Sequence, residues 1–232
     1  MSNFQLLYNN VFITPSPIFK LIEIKRLIFQ VMLVISCFFF DVEKGYTQEK
    51  TILAFGDSLT AGYGLGPGEG FTDELERTLN ILGSPATVIN AGVSGDTSSG
   101  GLSRIKWVLD SFNNIDLVIL ALGANDALRG IQPEITTQNI DQIAEILKNR
   151  NIPTIITGMM APPNLGKVYA KQFNDIYPVT AKKYGMAFYP FFLDGVAGFI
   201  EFNQIDRIHP NKKGVSIISK KMAPVIIEVL NK

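Results

Sequence analysis

The chain contains one histidine, His209, so any proton that an imidazole moves in this protein moves through that residue. Asp206 precedes it by three positions, close enough for one turn to bring both side chains to the same site. Pro210 biases the His209 backbone toward an extended conformation. A carboxylate, an imidazole and a hydroxyl are the parts of an activated nucleophile. The hydroxyl that fits is Ser58, in Gly56-Asp57-Ser58-Leu59, directly after a short apolar run. A serine where a strand turns into a helix presents its oxygen at the sheet edge, beside helix N–H groups that can hold negative charge. Two more segments carry donors. In Ala91-Gly92-Val93-Ser94-Gly95-Asp96-Thr97, Gly95 lets the backbone approach a ligand closely and offers its N–H. In Gly123-Ala124-Asn125-Asp126, the Asn125 carboxamide can donate into a site, while Asp126 holds the loop. Each segment alone has a plainer use: Ser58 as a helix cap, Gly95 in an ordinary turn, His209 as a structural side chain. The four together, each at a strand end or in a loop, point to chemistry.

The elements that must position these residues alternate along the chain. Segments 51–55, 86–90, 117–122, 154–157 and 186–189 read as strands, and 117–122 is apolar at every position, as expected for a strand covered on both faces. Helical spacing occurs at 70–82, 102–112, 136–149, 169–184 and 213–230. Pro178 is a candidate break in the fourth helix and Pro224 a candidate kink in the last. Strands separated by helices predict an α/β fold. It would hold a parallel, flavodoxin-like five-stranded sheet in a three-layer α/β/α sandwich, with right-handed crossovers. Ligands of such sheets bind at the carboxyl ends of the strands, where Ser58, Gly95 and Asn125 all fall.

Composition narrows the classes. Hydrophobic residues make up 47% of 232, enough to fill a sizeable core, and 21 basic residues balance 21 acidic ones. A nucleic-acid surface needs a clustered Lys/Arg excess that is absent here. One cysteine, Cys37, excludes an intrachain disulfide and a cysteine-based zinc site, and no metal or organic cofactor is expected. Residues 1–50 differ from the rest. Lys20, Lys25 and Arg26 precede about 14 mostly apolar residues at 27–40, and a polar exit follows, which fits a secretory leader better than a spanning helix of about 20. Val34-Ile35-Ser36-Cys37 loosely matches a lipoprotein box with Cys37 as the lipidated residue. The alternatives are an ordinary apolar stretch and an uncleaved anchor. The expected division is a leader or anchor at 1–50 and one catalytic domain at 51–232, with export to the periplasm or beyond.

In these motifs the chain resembles the SGNH (GDSL-type) hydrolase family. Gly56-Asp57-Ser58-Leu59 looks like its first block, Gly95 falls at the glycine of its second, Gly123-x-Asn125-Asp126 matches its third and Asp206-x-x-His209 its fifth. Within the family it is similar to the bacterial periplasmic arylesterase and acyl-CoA thioesterase I/lysophospholipase group. Asp57-Ser58-Leu59-Thr60-Ala61-Gly62-Tyr63 and Asp126-Ala127-Leu128-Arg129-Gly130 carry that likeness; Ala124, where many of the group have glycine, departs from it. The resemblance spans about residues 50–231. It implies a serine esterase or thioesterase with Ser58 as nucleophile, His209 as base and Asp206 as its orienting carboxylate. The Ser58 N–H, the Gly95 N–H and the Asn125 amide would form the oxyanion hole. Segments 127–133, 159–165 and 191–202 should line the substrate pocket, with Ala127, Leu128, Arg129, Met160, Pro162 and Phe192 as contacts. The Arg129-Gly130 loop is expected to move over an acyl chain. Two other functions share these features: a carbohydrate O-acetyl esterase, and a flavodoxin-like binding module without catalysis. The expected partner is a small acyl ester or thioester, with membrane association through the N-terminal segment alone and the protein acting as a monomer or weak dimer.

Overall fold

A computed structural model describes residues 49–232 and the positions 22, 25, 26, 28–30 and 32. The chain divides into two compact units, Met1–Tyr46 and Thr47–Lys232. In the first, the described positions are helical and exposed; Cys37 and most of the apolar run at 27–40 lie outside the described residues. Among the described residues no helix is long and apolar enough to cross a membrane.

The second unit carries five parallel strands: β1 (Lys50–Gly56), β2 (Ala86–Gly92), β3 (Leu117–Ala121), β4 (Thr154–Thr157) and β5 (Ala187–Tyr189). Their order is β2-β1-β3-β4-β5, the doubly wound arrangement in which the chain reverses direction across the sheet between β1 and β3. Seven helices connect and flank them: α1 (Ser58–Ala61), α2 (Phe71–Ile81), α3 (Ser98–Asp110), α4 (Ala124–Leu128), α5 (Pro133–Asn149), α6 (Lys167–Tyr184) and α7 (Lys212–Leu230). Helix α2 packs against α7, while α5 packs against both α3 and α6. Every residue of β3 is buried, because β1 and β4 occupy its two edges and helices its faces. Leu117, Val118 and Ile119 have no exposed surface. Burying one such side chain is worth about 1.5–3 kcal/mol, so this strand anchors the sheet at the point where the chain doubles back.

Two local expectations change. Helix α6 runs unbroken through Pro178. A proline there removes one N–H and crowds the carbonyl of Asn174, but Phe173, Ile176, Tyr177, Thr180 and Ala181 are buried on both sides of it, and that shared packing keeps one axis. Helix α3 begins at Ser98 rather than near 102. Its cap, Thr97 Oγ1, accepts from the Gly100 N–H at 3.3 Å, which offsets the cost of two glycines in the first turn.

Candidate active site

Ser58 opens α1 immediately after β1. Asp57 caps that turn, its Oδ1 accepting from the Leu59 N–H at 3.0 Å, and the Gly62 N–H closes it on the Ser58 carbonyl at 3.1 Å. Asp57 is wholly buried, and its Oδ2 lacks a hydrogen-bond partner. Burial, with repulsion from Asp96 and Asp126, raises its carboxyl to about 7, against the lowering effect of the Leu59 N–H.

The sole histidine reaches this turn from a loop 151 residues away. His209 Nε2 lies 2.9 Å from Ser58 Oγ, and Nδ1 lies 2.6 Å from Asp206 Oδ2. The other carboxylate oxygen, Oδ1, accepts from the backbone N–H of Ile208 at 2.9 Å and of His209 at 3.0 Å. The turn is tight enough to hold Arg207 at a φ of 61°, in the left-handed region that a non-glycine residue seldom adopts. Burial works to raise the Asp206 carboxyl, but the bonds from the His209 ring and the two N–H groups outweigh it and hold it at about 2. An ionised Asp206 keeps the imidazole proton on Nδ1, which leaves Nε2 free to accept from the Ser58 hydroxyl.

Two residues outside the expected set fix this approach. The Gln204 N–H donates to the His209 carbonyl at 2.8 Å, and its Nε2 donates to the carbonyls of Tyr63 at 2.7 Å and Pro210 at 3.0 Å. Gln204 therefore ties the histidine loop to the segment that follows Ser58. The Tyr63 ring lies 4.6 Å from the imidazole, centroid to centroid. Neither spacing nor residue type marks Gln204 in the sequence, because its partners are backbone carbonyls.

The donors sit on neighbouring strand ends. Gly95 occupies the third position of a four-residue turn closed by the Asp96 N–H on the Val93 carbonyl at 3.1 Å, and its φ of 82° suits glycine. Asn125, in α4, donates one Nδ2 hydrogen to the Asp96 carbonyl at 2.9 Å, which orients the amide and leaves its second hydrogen over. Ser58, Asn125 and His209 line one cavity of about 240 Å³, whose other walls are largely apolar. Ala127, Leu128, Met160 and Pro162 line it as expected from their segments, and Met159, Phe191 and Ile208 join them. Gly95 is not among the lining residues and stands beside the cavity.

Two of the expected contacts are corrected. Phe192 has no exposed surface and meets Phe71 edge-on at 5.0 Å in the core; its neighbour Phe191 faces the cavity instead. Successive residues in this irregular stretch point to opposite sides, and a pair of identical residues gives no sign of which points in. Arg129 does not line the cavity either. Its Nη2 donates to the Gly95 carbonyl at 2.8 Å, so it braces the Gly95 turn from outside. Among the described residues no group of acidic, histidine or cysteine side chains is placed to hold a metal ion.

Residues 54–217 match the GDSL-like Lipase/Acylhydrolase family. The chain is 34% identical over 192 residues to an arylesterase of Vibrio mimicus, covering 83% of this chain and 96% of that protein. It is 35% identical over 181 residues to the thioesterase 1/protease 1/lysophospholipase L1 of Escherichia coli K12, covering 78% and 85%. The crystal structure of AlinE4, an SGNH-hydrolase family esterase, superposes with a TM-score of 0.67 at 46% identity, covering 79% of this chain and 97% of that one.

Proposed function

We propose, from the premise that the chain belongs to the GDSL-like lipase/acylhydrolase family and is a serine hydrolase, that it cleaves carboxylic esters through an acyl-enzyme on Ser58. The observation that carries this reading is the continuous line from Ser58 Oγ through His209 to Asp206, 2.9 and 2.6 Å long, at the mouth of an apolar cavity. Ser58 Oγ attacks the acyl carbon while its proton passes to His209 Nε2, and ionised Asp206 stabilises the imidazolium. The oxyanion is received by the Ser58 N–H, the Gly95 N–H and the Asn125 amide. Collapse expels the alcohol or thiol, which takes the proton back from His209. Water then adds to the acyl-enzyme by the same route and releases the acid.

The cavity, smaller than the roughly 300–1,000 Å³ of sites for drug-sized ligands, suits a short acyl chain or an aryl group. Its methionine, leucine, proline and phenylalanine walls favour such esters over an acetylated sugar, whose hydroxyls would find few partners there. Ser58→Ala is expected to abolish turnover of p-nitrophenyl acetate and labelling by a fluorophosphonate probe in a folded protein. Unchanged turnover would reject the nucleophile. A series of esters and thioesters of rising acyl length, run beside acetylated xylan, should favour the short acyl esters. We also assign the segment ahead of β1 to a leader that directs export, on the basic flank and apolar run in its sequence; amino-terminal sequencing of exported protein reads the boundary, and an intact Met1 there would refute cleavage.

A further inference from the structure

We infer that Arg104 is a positioning residue for acyl transfer: its guanidinium ties together the two chain segments that bear the Ser58 and Gly95 donors and, through Asp96, holds the Asn125 amide to them. The inference rests on the proposed Ser58 chemistry. Arg104 projects from α3, and each of its nitrogens finds a different acceptor, one at the end of β1 and two on the segment Ala91–Asp96 that carries Gly95. Nε donates to Asp96 Oδ2 at 2.7 Å, Nη1 to the Ala91 carbonyl at 2.9 Å and Nη2 to the Gly56 carbonyl at 2.9 Å. Its Cζ lies 4.0 Å from the centroid of the Phe55 ring.

These acceptors are the backbone from which the donors hang. Gly56 ends β1, two residues before Ser58. Ala91 lies in β2, and Asp96 follows Gly95. The Asp96 carbonyl in turn holds the Asn125 amide at 2.9 Å, so one planar group is bonded, directly or through one residue, to the origin of every donor. The Gly56 carbonyl also accepts from the Val93 N–H at 3.0 Å, which locks the start of the Gly95 turn to the same point. Arg104 is not among the cavity-lining residues and acts through the others.

The arrangement is built rather than incidental. The Arg104 and Asp96 side chains are only 18% and 11% exposed. A pair this buried loses most of its Coulomb gain to desolvation, and apolar side chains of like size often replace such pairs at no cost in stability. Stability alone therefore does not account for it, whereas a fixed three-way fork does. A Cβ at position 100 would lie 1.8 Å from Asp96 Oδ1, so glycine there gives the carboxylate room over the start of α3. Lysine cannot replace the fork, because its ammonium is a compact point charge without three divergent, coplanar donors.

The test is the kinetics of Arg104→Lys with p-nitrophenyl acetate, in the parent and in an Asn125→Ala background, with unfolding midpoints measured alongside. In the parent, kcat is expected to fall about 10–100-fold with KM within about 2-fold, the pattern of lost transition-state binding. In the Asn125→Ala background the further loss should be smaller than in the parent, because the share that acts through Asn125 is already gone while the shares of the Ser58 and Gly95 N–H groups remain. Parent-like turnover of Arg104→Lys, a change in KM alone, or losses that multiply fully in the double variant would overturn the inference. Should Arg104→Lys not fold, Asp96→Ala keeps the carbonyl that holds Asn125 and removes the acceptor of Arg104 Nε, and the same criteria decide. Turnover that survives Ser58→Ala would strike at the proposed function itself, whereas Ser58-dependent turnover indifferent to Arg104 removes only this inference.

Discussion

Asp206 has two tasks that its neutral isostere would separate. As a carboxylate held at about 2, it stays ionised over the whole range in which an enzyme of this kind works, and so it fixes the imidazole proton on Nδ1. An asparagine keeps the size and the acceptor oxygen but allows the ring to settle with its proton on the wrong nitrogen. Asp206→Asn is therefore expected to lower kcat by about 10²–10⁴-fold with little change in KM, measured on a p-nitrophenyl ester; a loss confined to KM would assign Asp206 to binding. Because the carboxyl is depressed, its contribution to stability is present above about 4 and disappears as pH falls through about 2, well below the range of that assay. At this scale much could be read from residue type. One imidazole left no choice of base, and Ser58 stood out by its place between a strand and a turn in Gly56-Asp57-Ser58-Leu59. The choice between Phe191 and Phe192 was not readable, since only the path of an irregular loop decides it. Arg104 was equally hidden: eight residues beyond Asp96 in a run without a motif, it looks like any surface arginine until β1 and β2 come together beneath it.

Helices α3, α4 and α5 meet at one buried carboxylate. Asp126 has no exposed surface. It accepts from the Ser98 N–H at 2.8 Å, from Ser98 Oγ at 2.5 Å and from Thr136 Oγ1 at 3.0 Å, while Asn139 Nδ2 donates to Ser98 Oγ at 2.9 Å and to Ser99 Oγ at 2.8 Å. Asp126→Ala strands the Ser98 N–H and two hydroxyls in a dry interior, and should cost about 3 kcal/mol, or roughly 6–12 °C in Tm. Thermal unfolding followed by circular dichroism checks this; a shift within error of the parent would mean that the network is replaceable by packing alone. Since Asn125 precedes Asp126, the same network sets where the amide sits. The five strands were legible because each is a short apolar run bounded by polar or glycine residues, and β3 stood out by lacking any polar position. The start of α3 was not, because Ser98-Ser99-Gly100-Gly101 has the composition of a loop. It is helical only because Thr97 caps it and Asp126 holds its first N–H from another element. Such support is tertiary, and local propensity carries no trace of it.

The whole molecule carries a cost of its catalytic turn in the pH dependence of its stability. Asp57 must lie under Ser58 to cap α1, and that position is sealed from water with one oxygen unpartnered. The carboxyl therefore ionises at about 7 in the folded protein against the ordinary 3.8. Between these values the folded state binds a proton that the unfolded chain has released. The contribution of Asp57 to stability is thus greatest below about 4, declines as pH rises, and levels off above about 7, by roughly 4 kcal/mol in all. The other displaced carboxyls, Asp206, Glu69 and Glu228, are all lowered. Their effects run in the opposite direction and lie at and below the ordinary carboxylate range, so they leave the interval from 5 to 7 clear. Asp57→Asn keeps the oxygen that accepts from the Leu59 N–H and removes the titration. The difference in urea-unfolding free energy between Asp57→Asn and the parent should move in favour of the variant as pH is raised from 5 to 7.5, other groups cancelling in the comparison. Parallel curves across that interval would show that the folded protein tolerates a charged Asp57, and that the turn beneath the nucleophile is reached by water.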